Sequence, residues 1–565
     1  MAENGLRVGV LCENTRLQRW QVACLRHLLA VPGVSIALVV TRKPEDGPLP
    51  KPKRRWGTLL YRRWRDGAGQ ADAMKSEDAS ELFGQAPMIQ CRTELKKGGE
   101  YFTSKDLDVI CNYSPDVLLR FGFNIIKGDL LQLPKYGVWS FHHGDEMRYR
   151  GGPPGLWEIM DGEPVTGAML QRLTEKLDGG RILRKGAFKT IDHSLRETVE
   201  TVLMHSAHWP ARVCREILGG NPEATEGRLS ATKAPVNRYP NNVDFLRFRW
   251  KMFQNKMRFH KEEMNAHEEW NIGVLPHPIS VLVQDAPPMN VRWLPPPADG
   301  QYRADPFGYE VDGRLNVLYE KFDQETGKAS IARIRPKRDG DLKRSRTMLE
   351  TKGHLSYPFV IEQDGRILVV PEQADSGRVE LYALSLENEA LVPVSVLLEE
   401  PLVDPTLFQH QGRWWLFGTK SPLTNTELFA FFSERLDGPF TAHPQNPVKS
   451  DIRSARPAGT PFIADGQLWR PGQDCSRTYG GRIALNRVTE LSPERFEEET
   501  VKYIGPFKGT WNKGMHTISA VGGVTLVDGK RFITDGRQRE RVRKRKLDKL
   551  MGKPDAETKK SKGGH

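Results

Sequence analysis

Residues 137–183 read GVWSFHHGDEMRYRGGPPGLWEIMDGEPVTGAMLQRLTEKLDGGRIL and combine three features that seldom occur together. The apolar stretch from Val138 to Phe141 predicts a short strand, and His142 follows it directly. A loop rich in glycine, proline and arginine comes next, from Arg148 to Gly155. An LDGG turn at residues 177–180 then places a carboxylate before another apolar run. We interpret the rest of the chain around this stretch.

The stretch resembles the folate-dependent formyltransferases, a family that includes methionyl-tRNA formyltransferase and the sugar N-formyltransferases. The family pattern runs N-x-H, then R-G-x-x-P, T-G-x-x and L-D-x-G-x-I-L. The resemblance implies that His142 is the catalytic histidine and Asp178 the catalytic aspartate, while Ser140 replaces the family asparagine. The R-G and T-G motifs, which we expect to contact substrate, fall on Arg150, Gly151, Thr166 and Gly167.

The resemblance also implies a reaction, the transfer of a formyl group from a 10-formyltetrahydrofolate-type donor to an amine. Such a transfer passes through a tetrahedral centre whose oxygen becomes negative and needs a preorganised hydrogen-bond donor. The amine must lose a proton, which suits an imidazole held by a carboxylate. Ser140 offers one hydroxyl donor in place of an amide, and His143, directly after His142, is a second candidate donor. The alternative is a formyltransferase fold without activity.

Length and charge divide the chain into parts. With 565 residues the chain is too long for one core, so two or three domains are expected. The net charge of +13 is concentrated in residues 537–565, where twelve Lys or Arg face four Asp or Glu. This segment predicts a disordered basic tail. It offers a weak contact to an anionic membrane or to nucleic acid, although a mere solubility tail is the favoured interpretation.

Cysteine usage and the N-terminus predict a cytoplasmic protein. The six cysteines include no C-x-x-C pair and no nearby histidine set, which argues against a structural metal and against a disulfide framework. Residues 1–5 lack the basic and apolar regions of a signal peptide. No apolar run approaches the length of a membrane span.

The first 220 residues predict an α/β domain of the Rossmann-type, formyltransferase-like class. Strand, helix and strand patterns fill residues 6–41, without the glycine motif of a dinucleotide site. A basic, aromatic insertion at 42–90 either touches an anionic surface or packs back on the domain, and the second is favoured. A helix is predicted at 127–133 and another at 194–218. Residues 221–266 are predicted as a linker with a connecting helix from Asp244 to Glu269.

The second half contains a repeat that predicts an all-β five-bladed propeller over 267–536. Four segments share a proline, an apolar strand, a tight turn and a second strand. Two strands around a tight turn every ~50 residues is the pattern of propeller blades. A fifth turn is assigned to Asp528–Gly529, and residues 270–283 to a strand that closes the ring. The turn glycines of the four segments are Gly313, Gly365, Gly412 and Gly466.

The layout of this half resembles the furanosidase and levansucrase group and the propeller-like region of plant glucosamine inositolphosphorylceramide transferases. Asp305, Tyr357, Asp404 and Gly459 occupy equivalent repeat positions near the expected axis. Paired carboxylates across a sugar suit cleavage of a glycosidic bond. We expect a carbohydrate-facing site, with substrate contacts from Asp305, Asp404, Glu372 and His516, and with Arg456 and Trp469 lining the same opening. Asp-Pro is also a common turn device.

The sequence as a whole predicts a two-domain formyltransferase-like transferase that modifies an amine, most naturally an amino sugar, and uses the propeller to recognise carbohydrate. Two alternatives stay open at this point. One is a carbohydrate-active propeller, a glycosidase or glycosyltransferase, joined to a degenerate formyltransferase domain. The other is a non-catalytic protein that binds glycan or lipid.

Overall fold

The chain forms two compact units, divided between Gln254 and Asn255. The computed structural model describes residues 5–43, 56–96, 99–176, 179–262, 266–324, 326–336 and 345–533. The division falls inside 221–266, the segment that the sequence predicts as a linker. The basic segment 537–565 lies outside the described residues.

The N-terminal unit is built around an eight-stranded sheet with helices. Its strands are β1 Leu6–Cys12, β2 Arg16–Gln18, β3 Val34–Arg42, β4 Ser76–Asp78, β5 Met88–Cys91, β6 Thr93–Lys96, β7 Gly99–Phe102, β8 Val117–Arg120, β9 Ile126–Lys127, β10 Val138–His142, β11 Arg150–Gly151, β12 Val165–Arg172, β13 Arg181–Lys189, β14 Arg228–Leu229 and β15 Val236–Asn237. Its helices are α1 Arg19–Leu29, α2 Leu59–Arg65, α3 Ser80–Phe83, α4 Ser104–Asn112, α5 Leu156–Asp161, α6 Leu195–Ser206 and α7 Trp209–Leu218. One further helix, α8 Asn242–Glu262, crosses the division.

The main sheet has the spatial order β14-β13-β12-β10-β8-β1-β3-β5. The strands from β10 to β5 are parallel, and β12, β13 and β14 continue the sheet with antiparallel pairing. Parallel strands are covered on both faces, so the continuous apolar run LRVGVLC suits β1. The strand order reverses at β1, and ligands of open α/β sheets bind outside the carboxyl ends of strands near such a reversal. Arg120 and His142 end β8 and β10 on this side.

Two of the predicted helices differ from the structure. In place of a helix over 127–133, Gly128 adopts a φ of 82° between strand β9 and a single 3-10 turn, Asp129–Leu131. The stretch 194–218 forms two helices, α6 and α7, because Pro210 near the start of α7 has no N–H to continue α6. The predicted helix at 244–269 is α8, and it ends earlier, at Glu262.

The described part of the C-terminal unit consists of five small antiparallel sheets. Its strands are β16 His267–Leu275, β17 Arg292–Trp293, β18 Gln301–Val311, β19 Arg314–Asp323, β20 Lys328–Ile334, β21 Arg346–Leu349, β22 Ser356–Gln363, β23 Arg366–Glu372, β24 Val379–Ser385, β25 Ala390–Leu398, β26 Val403–His410, β27 Arg413–Thr419, β28 Glu427–Ser433, β29 Thr441–Ala442, β30 Lys449–Ser450, β31 Phe462–Ala464, β32 Gln467–Asp474, β33 Arg482–Leu491, β34 Phe496–Ile504, β35 Ile518–Val521 and β36 Val524–Ile533. Four sheets are consecutive in sequence, and the fifth has the order β17-β16-β36-β35. The first strand of this unit therefore pairs with the last.

The tight turns of four sheets are those that the repeat predicts. Each turn has two residues with positive φ, an aspartate or glutamine followed by glycine, as in Asp312–Gly313 and Gln411–Gly412. The assignment of the fifth turn to Asp528–Gly529 is wrong. Both of these residues lie inside β36, paired with β16, and the hairpin turns at Gly522–Gly523 instead. In the sequence, Asp528 and Gly529 stand between the mostly apolar residues 524–527 and the basic pair Lys530 and Arg531, so the D-G pair resembles a turn at the end of a strand.

A backbone irregularity recurs at the start of the first strand in the sheets. Asp305, Tyr357 and Asp404 have φ angles of 51°, 44° and 52°, and the strand register shifts at each of them. Gly459, at the fourth equivalent position, has a φ of 116°. Non-glycine residues are rare in this region of backbone space, and such strain is concentrated at functional sites. The structure thus confirms the equivalence of the four positions.

Side chains satisfy the backbone N–H groups at these four positions. The N–H of Asp305 donates to Asp528 Oδ2 at 3.3 Å, and that of Tyr357 donates to Asp305 Oδ2 at 3.3 Å. The N–H of Asp404 donates to Glu372 Oε2 at 3.1 Å, and that of Gly459 to the Tyr357 hydroxyl at 2.7 Å. Several buried carboxylates therefore have a structural task, since buried N–H groups need acceptors.

Candidate functional site

The N-terminal candidate site lies at the end of strand β10. Side chains alternate along a strand, so Ser140 and His142 share one face. His142 is half-buried, and its Nε2 lies 3.2 Å from the carbonyl oxygen of Tyr149. Ser140 is buried and 1% exposed. This face therefore carries the imidazole and the hydroxyl that the resemblance assigns to catalysis.

Arg120 is the residue that the sequence analysis missed here. It pairs with Ser140 in the β8–β10 register, and its Nε donates to Ser140 Oγ at 3.1 Å. Its Nη1 donates to the carbonyl oxygens of Phe123 at 3.0 Å and Asn124 at 2.7 Å. Burial lowers the pKa of Arg120, yet an arginine stays charged at neutral pH. A guanidinium thus stands beside the position where the family has a neutral amide.

His143 lies on the opposite face of β10 from His142. Its ring stacks on Phe141 with centroids 5.6 Å apart and meets Trp20 edge-on at 5.1 Å. Its Nε2 lies 3.3 Å from Ser206 Oγ. Burial, with a smaller contribution from His142, lowers the pKa of His143 to about 3. The ring is therefore neutral at physiological pH and packs against helices α1 and α6, while its role toward the oxyanion stays a prediction.

The low pKa of His143 predicts acid sensitivity of the fold. The unfolded-state pKa is near 6.5 and the folded one near 3, so the unfolded state binds more protons below pH 6.5. Stability is expected to fall as the pH drops from 6.5 toward 3, by about 2 kcal/mol between pH 7 and pH 5 from this residue. His27 and His208 also have lowered pKa values, so the contribution of His143 must be obtained by comparing wild type with a His143 variant. Urea denaturation of wild type and His143→Gln should show a shallower pH slope in the variant, and equal slopes would contradict the assignment.

The remaining residues assigned by resemblance are Asp178, Arg150, Gly151 and Thr166, and Asp178 lies outside the described residues. Arg150 Nη1 donates to the carbonyl oxygen of Ala234 at 2.7 Å. Gly151 has a φ of 83°, and a Cβ there would lie 2.2 Å from the carbonyl oxygen of Asn237, so only glycine fits. Thr166 is fully buried, with its hydroxyl 2.9 Å from that of Thr190.

The C-terminal unit contains a cavity of about 210 Å³. Carboxylates line it together with aromatic and basic side chains. The lining residues are Glu268, Trp270, Tyr302, Ala304, Asp305, Glu320, His354, Ser356, Glu372, Arg456, Tyr479 and His516. The structure thus brings together Asp305 from β18, Glu372 from the end of β23 and His516 from the segment before β35. Trp469 is buried and is not among the lining residues.

His516 is held on the cavity wall by two carboxylates and an indole. Its Nδ1 lies 2.5 Å from Asp528 Oδ2 and 3.6 Å from Asp305 Oδ1. Its ring stacks on Trp270, with centroids 3.9 Å apart. Burial alone would lower the pKa of His516, but Asp528 and Asp305 raise it overall. A tethered histidine of this kind can hold a proton at the cavity surface.

Three carboxyl groups of the cavity have raised pKa values. Burial raises the pKa of Asp305 to about 6, and the carboxylates of Asp404 and Asp528 add to the effect. Burial also raises the pKa values of Glu320 and Glu372 well above the usual range. Crowded buried carboxyls cannot all ionise together, so burial and the neighbouring carboxylates favour the protonated form of these two glutamates. The cavity therefore places carboxyl groups of raised pKa around one opening.

Asp404 lies behind this cavity, with its negative charge neutralised. Arg456 donates to it from Nε at 2.6 Å and from Nη2 at 3.2 Å, and Gln473 Nε2 donates at 2.8 Å. The Arg456 guanidinium also lies over the Tyr479 ring, 5.1 Å from its centroid. Asp404 thus orients Arg456, which lines the cavity.

Other residues of this site have no recognisable signal in the sequence. Asp528, which contacts His516 but does not line the cavity, belongs to a D-G pair that predicts a turn. Trp270 and Tyr479 lie outside the repeated segments and far from Asp305 in sequence, so no local pattern connects them with it. Only Tyr302, three residues before Asp305, could have been found by extending the repeat backwards.

Comparison with known proteins divides the chain in the same way. Residues 296–517 match the family model described as "Glucosamine inositolphosphorylceramide transferase 1, N-terminal". The chain is similar to glucosamine inositolphosphorylceramide transferase 1 of Oryza sativa subsp. japonica, with 33% identity over 257 residues. This match covers 42% of the chain and 34% of the rice protein, so the chain spans about a third of that relative.

A second set of relatives is formyltransferases. The chain is 31% identical over 154 residues to methionyl-tRNA formyltransferase of Acidobacterium capsulatum, a match that covers 25% of the chain and 49% of that protein.

Among solved structures, the family 117 glycoside hydrolase Zg3597 of Zobellia galactanivorans has a TM-score of 0.30 at 12% identity, covering 41% of the chain and 85% of the hydrolase. The chain therefore joins a formyltransferase-like region to a region similar to the glucosamine inositolphosphorylceramide transferases.

Proposed function

We propose that the protein is a carbohydrate-modifying transferase that formylates an amine, with an amino sugar as the acceptor. The observation that carries the proposal is the shared face of β10, where the half-buried His142 follows Ser140, and Arg120 donates to that hydroxyl. The similarity to methionyl-tRNA formyltransferase supports the reaction class.

In this proposal each residue of the N-terminal site has one task. His142 accepts the proton that the amine loses as its nitrogen bonds to the formyl carbon, and returns a proton to the donor nitrogen as the original carbon–nitrogen bond breaks. Ser140 and the Arg120 guanidinium stabilise the negative charge that develops on the formyl oxygen, and a preorganised cation is a strong stabiliser in a site shielded from water. Asp178 orients the imidazole, as the resemblance implies.

A 10-formyltetrahydrofolate-type donor supplies the formyl group when bound. The residues present fit its reacting end, because a hydroxyl and a guanidinium lie beside an imidazole. Arg150 and Gly151, which form the short strand β11, are the residues that we assign to substrate contacts. Release of tetrahydrofolate with a panel of amino sugars tests the reaction class, and a protein that binds no folate would contradict it.

The acceptor saccharide is proposed to bind in the C-terminal cavity. We propose that the five sheets close into a five-bladed propeller, supported by the pairing of β16 with β36. Ligand cavities combine apolar walls with a few convergent polar groups. Here Trp270 and Tyr479 supply aromatic surface, while Glu320, Glu372 and Asp305 supply partners for sugar hydroxyls.

Glu320→Ala is expected to weaken saccharide binding by roughly 5- to 30-fold, since losing a hydrogen bond to a buried polar partner costs about 1–2 kcal/mol. Isothermal titration with the best saccharide of a thermal-shift screen measures this directly. The matched control is Glu362→Ala, which removes an exposed carboxylate from strand β22 and should leave affinity unchanged. Equal loss in both variants, or no loss in Glu320→Ala, would contradict the cavity assignment.

A second candidate function is acid–base chemistry on a glycosidic bond in the same cavity. The observation that favours it is the raised pKa of Glu372, which lines the same cavity as Asp305, because a carboxylic acid and a carboxylate are the pair that such cleavage needs. Glu372→Gln would then lower glycoside turnover by about 10²–10⁴-fold and leave saccharide affinity within a few-fold. No turnover of any glycoside by wild type would exclude this function.

A further inference from the structure

Helix α8 carries two apolar faces, only one of which is covered. Phe245, Phe248 and Met252 pack against the N-terminal core. The large apolar residues of the other face are each more than half exposed, and they are Val243, Leu246, Trp250, Phe253 and Met257. At about 100° per residue, these five positions fall within an arc of about 80°, opposite the packed face. Trp250 and Phe253 stack on each other with centroids 5.7 Å apart.

A second element extends this exposed face. Leu59 and Leu60 at the start of α2 are 47% and 41% exposed. The N–H of Leu60 donates to Asn242 Oδ1 at 3.1 Å, which fixes α2 beside the start of α8. In contrast, Tyr61 and Trp64 of α2 pack on Phe245, so the aromatic residues of α2 turn inward and its leucines outward. Exposed apolar residues on two adjoining elements form a patch, and such patches mark interaction sites.

Basic residues flank the exposed apolar arc on both sides. On the helical wheel, Arg247, Lys251 and Arg258 fall on one side, and Arg249 and Lys256 fall on the other. With Lys261 they make six cations in α8 against two acids, Asp244 and Glu262, which gives a net charge of +4.

We infer that α8, with Leu59 and Leu60, is a peripheral docking surface for an anionic phospholipid bilayer. An apolar stripe bordered by Lys and Arg, with Trp and Phe at its centre, suits a helix that lies in the membrane interface. Anionic lipid attracts juxtamembrane cations, with a contribution from each one. A second copy of this chain is a poorer occupant, because both helices would carry the same +4 charge. None of the described helices is long and apolar enough to cross a membrane.

Vesicle flotation of the full chain tests the surface. Wild type should bind to vesicles of phosphatidylcholine that contain about 30% phosphatidylserine. It should bind much less to vesicles of phosphatidylcholine alone. Trp250→Glu/Phe253→Glu should reduce the bound fraction on the order of tenfold or more, because both side chains are lost from the interface and two negative charges are added. Binding by wild type should also weaken in about 0.5 M salt.

The matched control is Leu386→Glu, at a leucine that is 58% exposed elsewhere in the chain and should change binding less than about twofold. The basic segment 537–565 is present in every variant, so a difference in vesicle binding between variants measures the contribution of α8. Equal binding by wild type and Trp250→Glu/Phe253→Glu, or equal losses in that variant and the control, would overturn the inference. A wild-type dimer that the double variant converts to a monomer, with vesicle binding unchanged, would assign the face to a second copy.

Discussion

His142→Ala is expected to lower the rate of formyl transfer to an amino sugar by about 10²–10⁴-fold, the usual effect of losing a positioned acid–base group. The imidazole lies at the carboxyl end of a parallel strand, half-buried and held by the Tyr149 carbonyl at 3.2 Å. Tetrahydrofolate release measures the rate. Folding should persist, because the lost ring lies at the strand end and not in the core cluster behind it.

Three further variants separate the proton-transfer role from the oxyanion role. Arg120→Met should lower the rate by roughly 10²–10³-fold if the guanidinium stabilises the developing charge. Ser140→Ala should have a smaller effect, and Ser140→Asn, which restores the family donor, should hold or raise the rate. The control is His193→Ala, a histidine of the same unit that lies in the turn before α6 and is assigned no role. A rate unchanged in His142→Ala would make the N-terminal unit a relic of the family.

The N-terminal fold could be predicted from the sequence because its signals are local. Continuous apolar runs mark the parallel strands, and the motifs around His142 fix where the candidate site lies. Arg120 could not be found this way. Its contact with Ser140 depends on the pairing of β8 with β10, and sequence spacing does not reveal which side chains of neighbouring strands face each other.

The C-terminal unit shows the same limit in a different form. Its turns repeat a short chemical pattern, so four of them are predicted correctly. The fifth fails because a D-G pair after an apolar run and before two basic residues resembles a turn, whereas Asp528 is a fully buried strand residue that pairs with His516. The burial of a carboxylate and the residues that contact it depend on segments far away in the chain. A pattern within one segment therefore does not reveal them.

Arg456→Met is expected to destabilise the C-terminal unit by about 3–5 kcal/mol, because it leaves the buried Asp404 without its cation. Both side chains are largely buried, and two hydrogen bonds join them, at 2.6 and 3.2 Å. Urea denaturation measures the change. The matched control is Arg413→Met, which removes an ion pair of similar length, 2.6 Å to Glu434, from an exposed position. That pair should contribute no more than about 1 kcal/mol.

The double variant Asp404→Asn/Arg456→Met identifies the cause of the loss. Asparagine tolerates the φ of 52° at position 404 and can still accept from Gln473, but it carries no charge to leave unpaired. If the uncompensated charge is the main cost, the double variant should recover at least half of the stability that Arg456→Met loses. A double variant as unstable as the single one would assign the loss to packing around Tyr479 instead. Recovery of stability without recovery of saccharide binding would show that the Arg456 guanidinium, which lines the cavity, is needed for binding apart from its effect on stability.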